Sequence, residues 1–238
     1  MSMRVAQAIV AKDLRTEVRS RSAVSTVLPF AATMLLAFGF ALGPDRLLLA
    51  QTAPALLWLA ALFASVELCH RSYQHEAAND ALEGLLLSPA DKGAVYLGKA
   101  AAAFVQLILL LVVTTGIVIV LFGLPVGPAP ALLLLTAALG IAGLSAVGSL
   151  LGLLAVRSRT RQAALPVLVL PLVSPVIIAA AKATADLTHG TTAGISGWLS
   201  LLVAFDAAYL AVGNSVFGHL LEDCGDSPQS SSRCPNTT

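Results

Sequence analysis

Gly93 to Ala100 reads GAVYLGKA, which misses the phosphate-binding loop G-x-x-x-x-G-K-[ST] only at its last position. In that loop backbone amides cradle phosphates, the lysine reaches the terminal ones and the hydroxyl holds Mg²⁺. Ala100 has no hydroxyl. No strand-like run precedes Gly93, and the residues that follow form a long apolar stretch instead of opening a helix in an α/β domain. Nucleotide chemistry is therefore not expected here, and any ATP used belongs to another chain. Lys99 is expected to anchor a span at the membrane interface, its stem snorkelling along apolar neighbours. The other reactive side chains are scattered. Cys69, Cys224 and Cys234 share no metal-ligand spacing and leave an odd number, so all three read as free thiols. His70, His75, His189 and His219 fit neither H-E-x-x-H nor a nucleophile elbow, and no paired-carboxylate site is visible. The expectation is a chain with no catalytic residue, no metal site and no cofactor of its own.

What would position such residues is a membrane bundle. Hydrophobic residues make up 57% of the chain and charged ones 11%, against roughly 25% charged in an average soluble domain. Apolar stretches at about 24–43, 47–66, 101–123, 131–156, 162–181 and 196–218 are each long enough to cross a bilayer. The expected fold class is all-α, a polytopic bundle of six transmembrane helices in one domain, residues 1–221, with a disordered Ser- and Pro-rich tail at 222–238. The first span follows a charged segment and lacks a small-residue cleavage site, so it is expected to be retained. A net charge of +1 matters less than its distribution. Arg4, Lys12, Arg15, Arg19 and Arg21 precede the first span, Arg71, Lys92 and Lys99 lie between the second and third, and Arg157, Arg159 and Arg161 precede the fifth. The opposite side carries Arg46 and Lys182. The positive-inside rule then places both termini in the cytoplasm. The partner implied by composition is the lipid bilayer, with no nucleic acid.

Two segments outside the spans have a pattern. Val10, Leu14 and Val18 recur on one helical face, with Lys12, Arg15 and Arg19 opposite, as in an interfacial helix. Such a helix either lies on anionic lipid or transmits motion into the bundle. From Glu67 to Lys99 the chain is too short for a domain. Val66, Cys69, Tyr73 and Ala77 continue a helical stripe, Asn79 or Asp80 can cap a second short helix, and Ser88-Pro89 stops it. That hairpin would present Leu82, Leu85 and Leu86 beside Arg71, Glu76, Asp80 and Glu83, the mixture a docking surface needs. The alternative is a lipid-surface helix with solvated charges.

Within the spans, Pro166, Pro171 and Pro175 interrupt one apolar run, so the carbonyls of Gln162, Val167 and Pro171 need other donors. Pro166 can sit in a first turn, where its missing donor costs little. Gly140, Gly143, Gly148 and Gly152 with Ser145 and Ser149 predict close helix approach along the fourth span, within the subunit or in a dimer. Asp206, mid-span with Tyr209 one turn on, is a possible intramembrane polar site. It either carries protons or contacts substrate, or it fixes helix packing.

Three separated stretches resemble the CcmB family, also called heme exporter protein B, among the type 2 ABC transporter membrane subunits. TAPALLWLAALFAS at 52–65 resembles its second span, ALEGLLLSP at 81–89 its cytoplasmic segment, and LVLPLVSPVII at 168–178 its L-V-L-P-L-x-x-P signature. The resemblance runs from about residue 4 to 181. Arg71, Tyr73, Glu76, Leu82 and Glu83 fit the family pattern, whereas His70 and Asn79-Asp80 depart from it. The resemblance implies coupling helices between spans two and three that meet an ABC ATPase, with Arg71, Tyr73, Glu76, Leu82 and Glu83 among the contacts, to which the hairpin reading adds Asp80, Leu85 and Leu86. It implies a homodimeric permease subunit of a cytochrome c maturation complex in the bacterial inner membrane, working with a heme-handling membrane protein and a heme chaperone. ATP and Mg would be bound by the ATPase and heme by partner subunits. His189, a single imidazole among Thr and Gly, is not expected to hold heme. The rival readings are a permease for a drug or lipid, a proton-coupled transporter using Asp206, and a structural scaffold.

Overall fold

The computed structural model describes residues 2–20, 23–78, 92–125, 127–157 and 165–225. Among these are seven α-helices and one short π-helical turn, Ala23–Val27: α1 Ser2–Ser20, α2 Leu28–Leu42, α3 Arg46–Ala78, α4 Lys92–Phe122, α5 Pro130–Arg157, α6 Leu165–Thr188 and α7 Ile195–Gly225. Six stretches have the length and hydropathy of membrane spans: Ser25–Leu42, Arg46–Cys69, Gly93–Phe122, Pro130–Gly152, Leu170–Thr188 and Ile195–Ser215. The all-helical, six-span fold class read from the sequence is the observed one.

Several boundaries differ from those read from the sequence, among them the end of α7, which is helical to Gly225 where the tail was expected to begin at 222; two have reasons in side-chain chemistry. α4 is helical from Lys92 and carries Lys99 inside its apolar part, because that ammonium has partners in the bundle. α6 continues through Lys182 to Thr188, because the lysine is exposed and its charge need not be buried. Local chemistry sets the other ends. Asp45 caps α3, its Oδ1 accepting from the amides of Leu47 at 2.9 Å and Leu48 at 3.3 Å. Gly43, at φ 76°, ends α2 in a left-handed conformation that suits glycine. Pro166 falls in the first turn of α6, where its missing N–H has no intrahelical partner to lose.

The bundle is a ring around one helix. α3 touches α4, α4 touches α7, α7 touches α6 and α6 touches α3, while α5 contacts all four. α5 can fill that place because Gly140, Gly143, Ser145, Ala146, Gly148, Ser149 and Gly152, all buried, let four neighbours approach its backbone. α2 leans on α3 and α4 from outside, and α1 lies against α4. The core centres on Trp58, Leu62, Leu107, Ile141, Leu144, Val176 and Leu202. In lipid this packing stabilises through dispersion, since a side chain facing acyl chains is already out of water. Phe40, Leu109, Val112, Val120, Leu134 and Val203 are exposed on the outer surface, as spans facing lipid require.

Candidate functional site

The first polar junction lies where α1, α3 and α4 meet. Lys99 is 4% exposed, and its Nζ stands 3.4 Å from Asp13 Oδ2 and 3.3 Å from Ser72 Oγ. This corrects the snorkelling reading: the side chain turns into the bundle because a carboxylate meets it there. Removing Asp13 takes the counter-charge from a buried ammonium, a loss of roughly 3–5 kcal/mol, whereas removing Lys99 leaves Asp13 with Lys12 at 3.8 Å. Asp13 escaped the sequence reading. Its signal was position, an acid three residues after Val10 and so beside the apolar face of α1, while Lys12, Arg15 and Arg19 are exposed. Gly98 lets α1 come close: a Cβ there would lie 3.1 Å from the Cα and carbonyl oxygen of Ala6. A cavity of about 10 Å³ adjoins the pair, with Cys69, Gln106 and Ser149 in its wall. Cys69 is a buried free thiol, and a Cβ on Gly148 would lie 2.7 Å from its sulfur. That glycine therefore brings α5 onto α3 within the subunit.

Further along α3, Arg71 donates from Nε to Glu67 Oε1 at 2.5 Å and from Nη1 to Thr26 Oγ1 at 3.2 Å. Its place is to tie α3 to the π-helical turn. Tyr73 and Glu76 lie on the extension of α3 beyond the apolar span. Asp80, Leu82, Glu83, Leu85 and Leu86 lie outside the described residues. A groove of about 370 Å³ between the π-helical turn, α2, α3 and α6 is lined by apolar side chains apart from Thr26 and Glu67. Phe30 and Phe63 meet edge to face in its wall at 6.1 Å.

On one side of the ring, α6 and α7 show how Pro175 is accommodated. Pro175 cannot donate to the carbonyl of Pro171, and Ser174 Oγ does so instead at 2.9 Å. Tyr209 donates its hydroxyl to the neighbouring carbonyl of Leu172, stitching α7 to this part of α6. Tyr209 is thus engaged with a backbone oxygen. Asp206 is 7% exposed, and neither carboxyl oxygen has a hydrogen-bond partner among the described residues. Oδ1 faces Gly143, where a Cβ would lie 2.7 Å away, and the Val176 methyls border the same spot. A buried carboxyl without donors costs stability, and an amide in its place meets the same surroundings. Asp206→Asn should therefore unfold within about 1 kcal/mol of the wild type, on the unfavourable balance of an unpartnered polar group. A thermal melt beside an activity assay checks this: lost activity at unchanged stability would give Asp206 a functional role, and a large loss of stability would reveal a partner. His189 is exposed, in the turn that ends α6, its amide donating to Ala185 O at 3.1 Å.

Comparison with known proteins adds to this geometry. The family described as CcmB protein matches residues 4–223. Heme exporter protein B of Pseudomonas aeruginosa is 30% identical over 197 residues, covering 82% of this chain and 88% of that protein. The proteins of the same name from Rhodobacter capsulatus and Bradyrhizobium diazoefficiens are 29% identical over 206 residues and 28% over 211. Those alignments cover 87% and 89% of this chain, and 93% and 94% of the relatives.

Proposed function

Since the chain belongs to the CcmB family, we propose that this multi-pass membrane protein is the permease subunit of an ABC-type complex that handles heme during cytochrome c maturation. The observation that carries this reading is the match over residues 4–223, which takes in all six spans and the segment between α3 and α4 at once. A short match would reflect only common apolar helices. ATP is hydrolysed by a separate subunit. Gly98 and Lys99, the residues that gave the phosphate-loop resemblance, support this, because one is closed against the backbone of α1 and the other is spent on Asp13. The chain performs no covalent chemistry and holds no cofactor, with heme carried by partners. Closure of the ATPase is passed through the residues around Glu76 to Leu86 into α3 and α4, releasing a heme-loaded chaperone from its membrane partner. By charge distribution α1 and both termini face the cytoplasm of a bacterial inner membrane. The working unit is a homodimer with its ATPases.

Purification of the tagged chain from its native membrane in mild detergent should recover an ABC ATPase together with heme-handling membrane proteins, identified by mass spectrometry. An ATPase with unrelated partners would move the substrate elsewhere, and a complex shown to survive the detergent without any ATPase would overturn the mechanism. In a strain deleted for the gene, Leu82→Asp with Glu83→Lys should leave the chain in the membrane, release the ATPase and abolish c-type cytochromes. Full maturation with this pair would remove the docking role from residues 82 and 83.

A further inference from the structure

α1 has the outline of a helix that floats on lipid, yet its apolar side contains an acid and meets a glycine. Ala6 and Ile9 cover Gly98, where a Cβ would lie 3.1 Å from the Ala6 backbone and 3.2 Å from Ile9 Cβ, so α1 and α4 touch almost main chain to main chain. One residue on, Lys99 reaches both Asp13 on α1 and Ser72 on α3. One buried ammonium thus joins three helices. A helix resting on acyl chains would gain nothing from Asp13, whose side chain would have to be drawn out of the apolar layer. Lys12 Nζ, 3.8 Å from Asp13 Oδ1, shares the carboxylate from the solvent side. The exposed row Lys12, Arg15 and Arg19 is left facing outward.

We propose that Asp13 and Lys99 form a charge latch that fixes α1 to α3 and α4, so that a cytoplasmic partner pressing on α1 moves the bundle at Lys99. This rests on the reading above that an ATPase drives the chain from that side. The latch assigns a purpose to the Gly98-Lys99 pair that phosphate binding does not explain. It makes Asp13 and Lys99 positioning residues.

The test uses the full chain in lipid nanodiscs, with Cys224 and Cys234 changed to Ser, the buried Cys69 kept, and a spin label on Arg15→Cys. With the latch intact the label should report an ordered helix. Lys99→Met and Asp13→Asn should each raise the mobile fraction several-fold, the two together no further than either alone. Lys99→Arg and the charge-exchanged Asp13→Lys/Lys99→Asp should keep α1 ordered. Unchanged spectra in the folded neutral variants, or additive effects, would overturn the latch. If the neutral variants do not accumulate, Lys99→Arg decides: an ordered label supports charge pairing, a mobile one overturns it. In the copurified complex, opening the latch should leave ATP hydrolysis running while cytochrome c formation falls several-fold. Normal formation with a mobile α1 would overturn the coupling role, while recovery of the ATPase would still uphold the reading beneath it.

Discussion

Gly140→Leu should drive Trp58 out of the centre of the bundle and leave little folded protein in the membrane. The outer edge of the Trp58 ring meets α5 at this glycine, where even a Cβ would stand 2.2 Å from Cη2 and 2.5 Å from Cζ3. Neither side can yield. Trp58 is buried among Leu62, Ile141 and Val176 in the main core, and its Nε1 donates to Thr184 Oγ1 at 3.0 Å, which holds the ring across from α6. Three helices are joined at this spot. Truncating a buried tryptophan costs about 3–5 kcal/mol in soluble cores, and in lipid the figure should be about 2–3, because the exposed ring is not returned to water. Trp58→Ala should show that loss in a thermal melt of the purified protein. Trp58→Phe should cost roughly 1–2 kcal/mol, one hydrogen bond and a small cavity, since Thr184 keeps its own bond to Ala180 O at 2.7 Å. Wild-type melting by Gly140→Leu would mean that the notch does not exist.

Gly213→Leu should open the ring between α4 and α7, with an effect nearly as large. Tyr96 is completely buried, its hydroxyl 3.1 Å from Ala146 O and 3.4 Å from Tyr209 O, so one side chain of α4 reaches α5 and α7 together. A Cβ at Gly213 would lie 2.2 Å from that hydroxyl oxygen and 2.3 Å from Cζ. Leucine would have to push α7 outward, and moving a helix forfeits contacts along its length. The variant should be degraded in cells or melt well below the wild type. Tyr96→Phe should fold, losing roughly 1 kcal/mol with the hydrogen bonding of its hydroxyl. Stable accumulation of Gly213→Leu at wild-type levels, with unaltered melting, would contradict this packing.

How far the fold could be read in advance follows from what each feature depends on. A span is a one-dimensional property, length times hydropathy, so the six stretches stand out whatever their neighbours are. The notch at Gly140 depends on how α3 and α5 are rotated about their axes, and nothing in TAPALLWLAALFAS says which face Trp58 takes. The small residues of α5 announced close approach, and the structure adds that Gly140, Gly143, Gly148 and Gly98 receive, in turn, a ring, a carboxyl, a thiol and a helix backbone. Lys99 was misread because a lysine near a span end usually has water within reach. Its true partner lay 86 residues earlier, beyond any local pattern. Asp206 was conspicuous as a charge among apolar residues, but that Tyr209 bonds elsewhere needed the position of α6. The docking positions from Asp80 to Leu86 rest on sequence alone.

The latch and the ring also impose an order on biosynthesis. Asp13 leaves the ribosome long before Lys99, so the ammonium can enter the bilayer with its counter-ion already waiting at the surface. Asp206 arrives with the last span, when α5 and its Gly143 are in place to receive it. Until α7 docks, the ring around α5 has a missing side, and the nascent protein offers quality-control proteases a half-built core that no earlier helix can close.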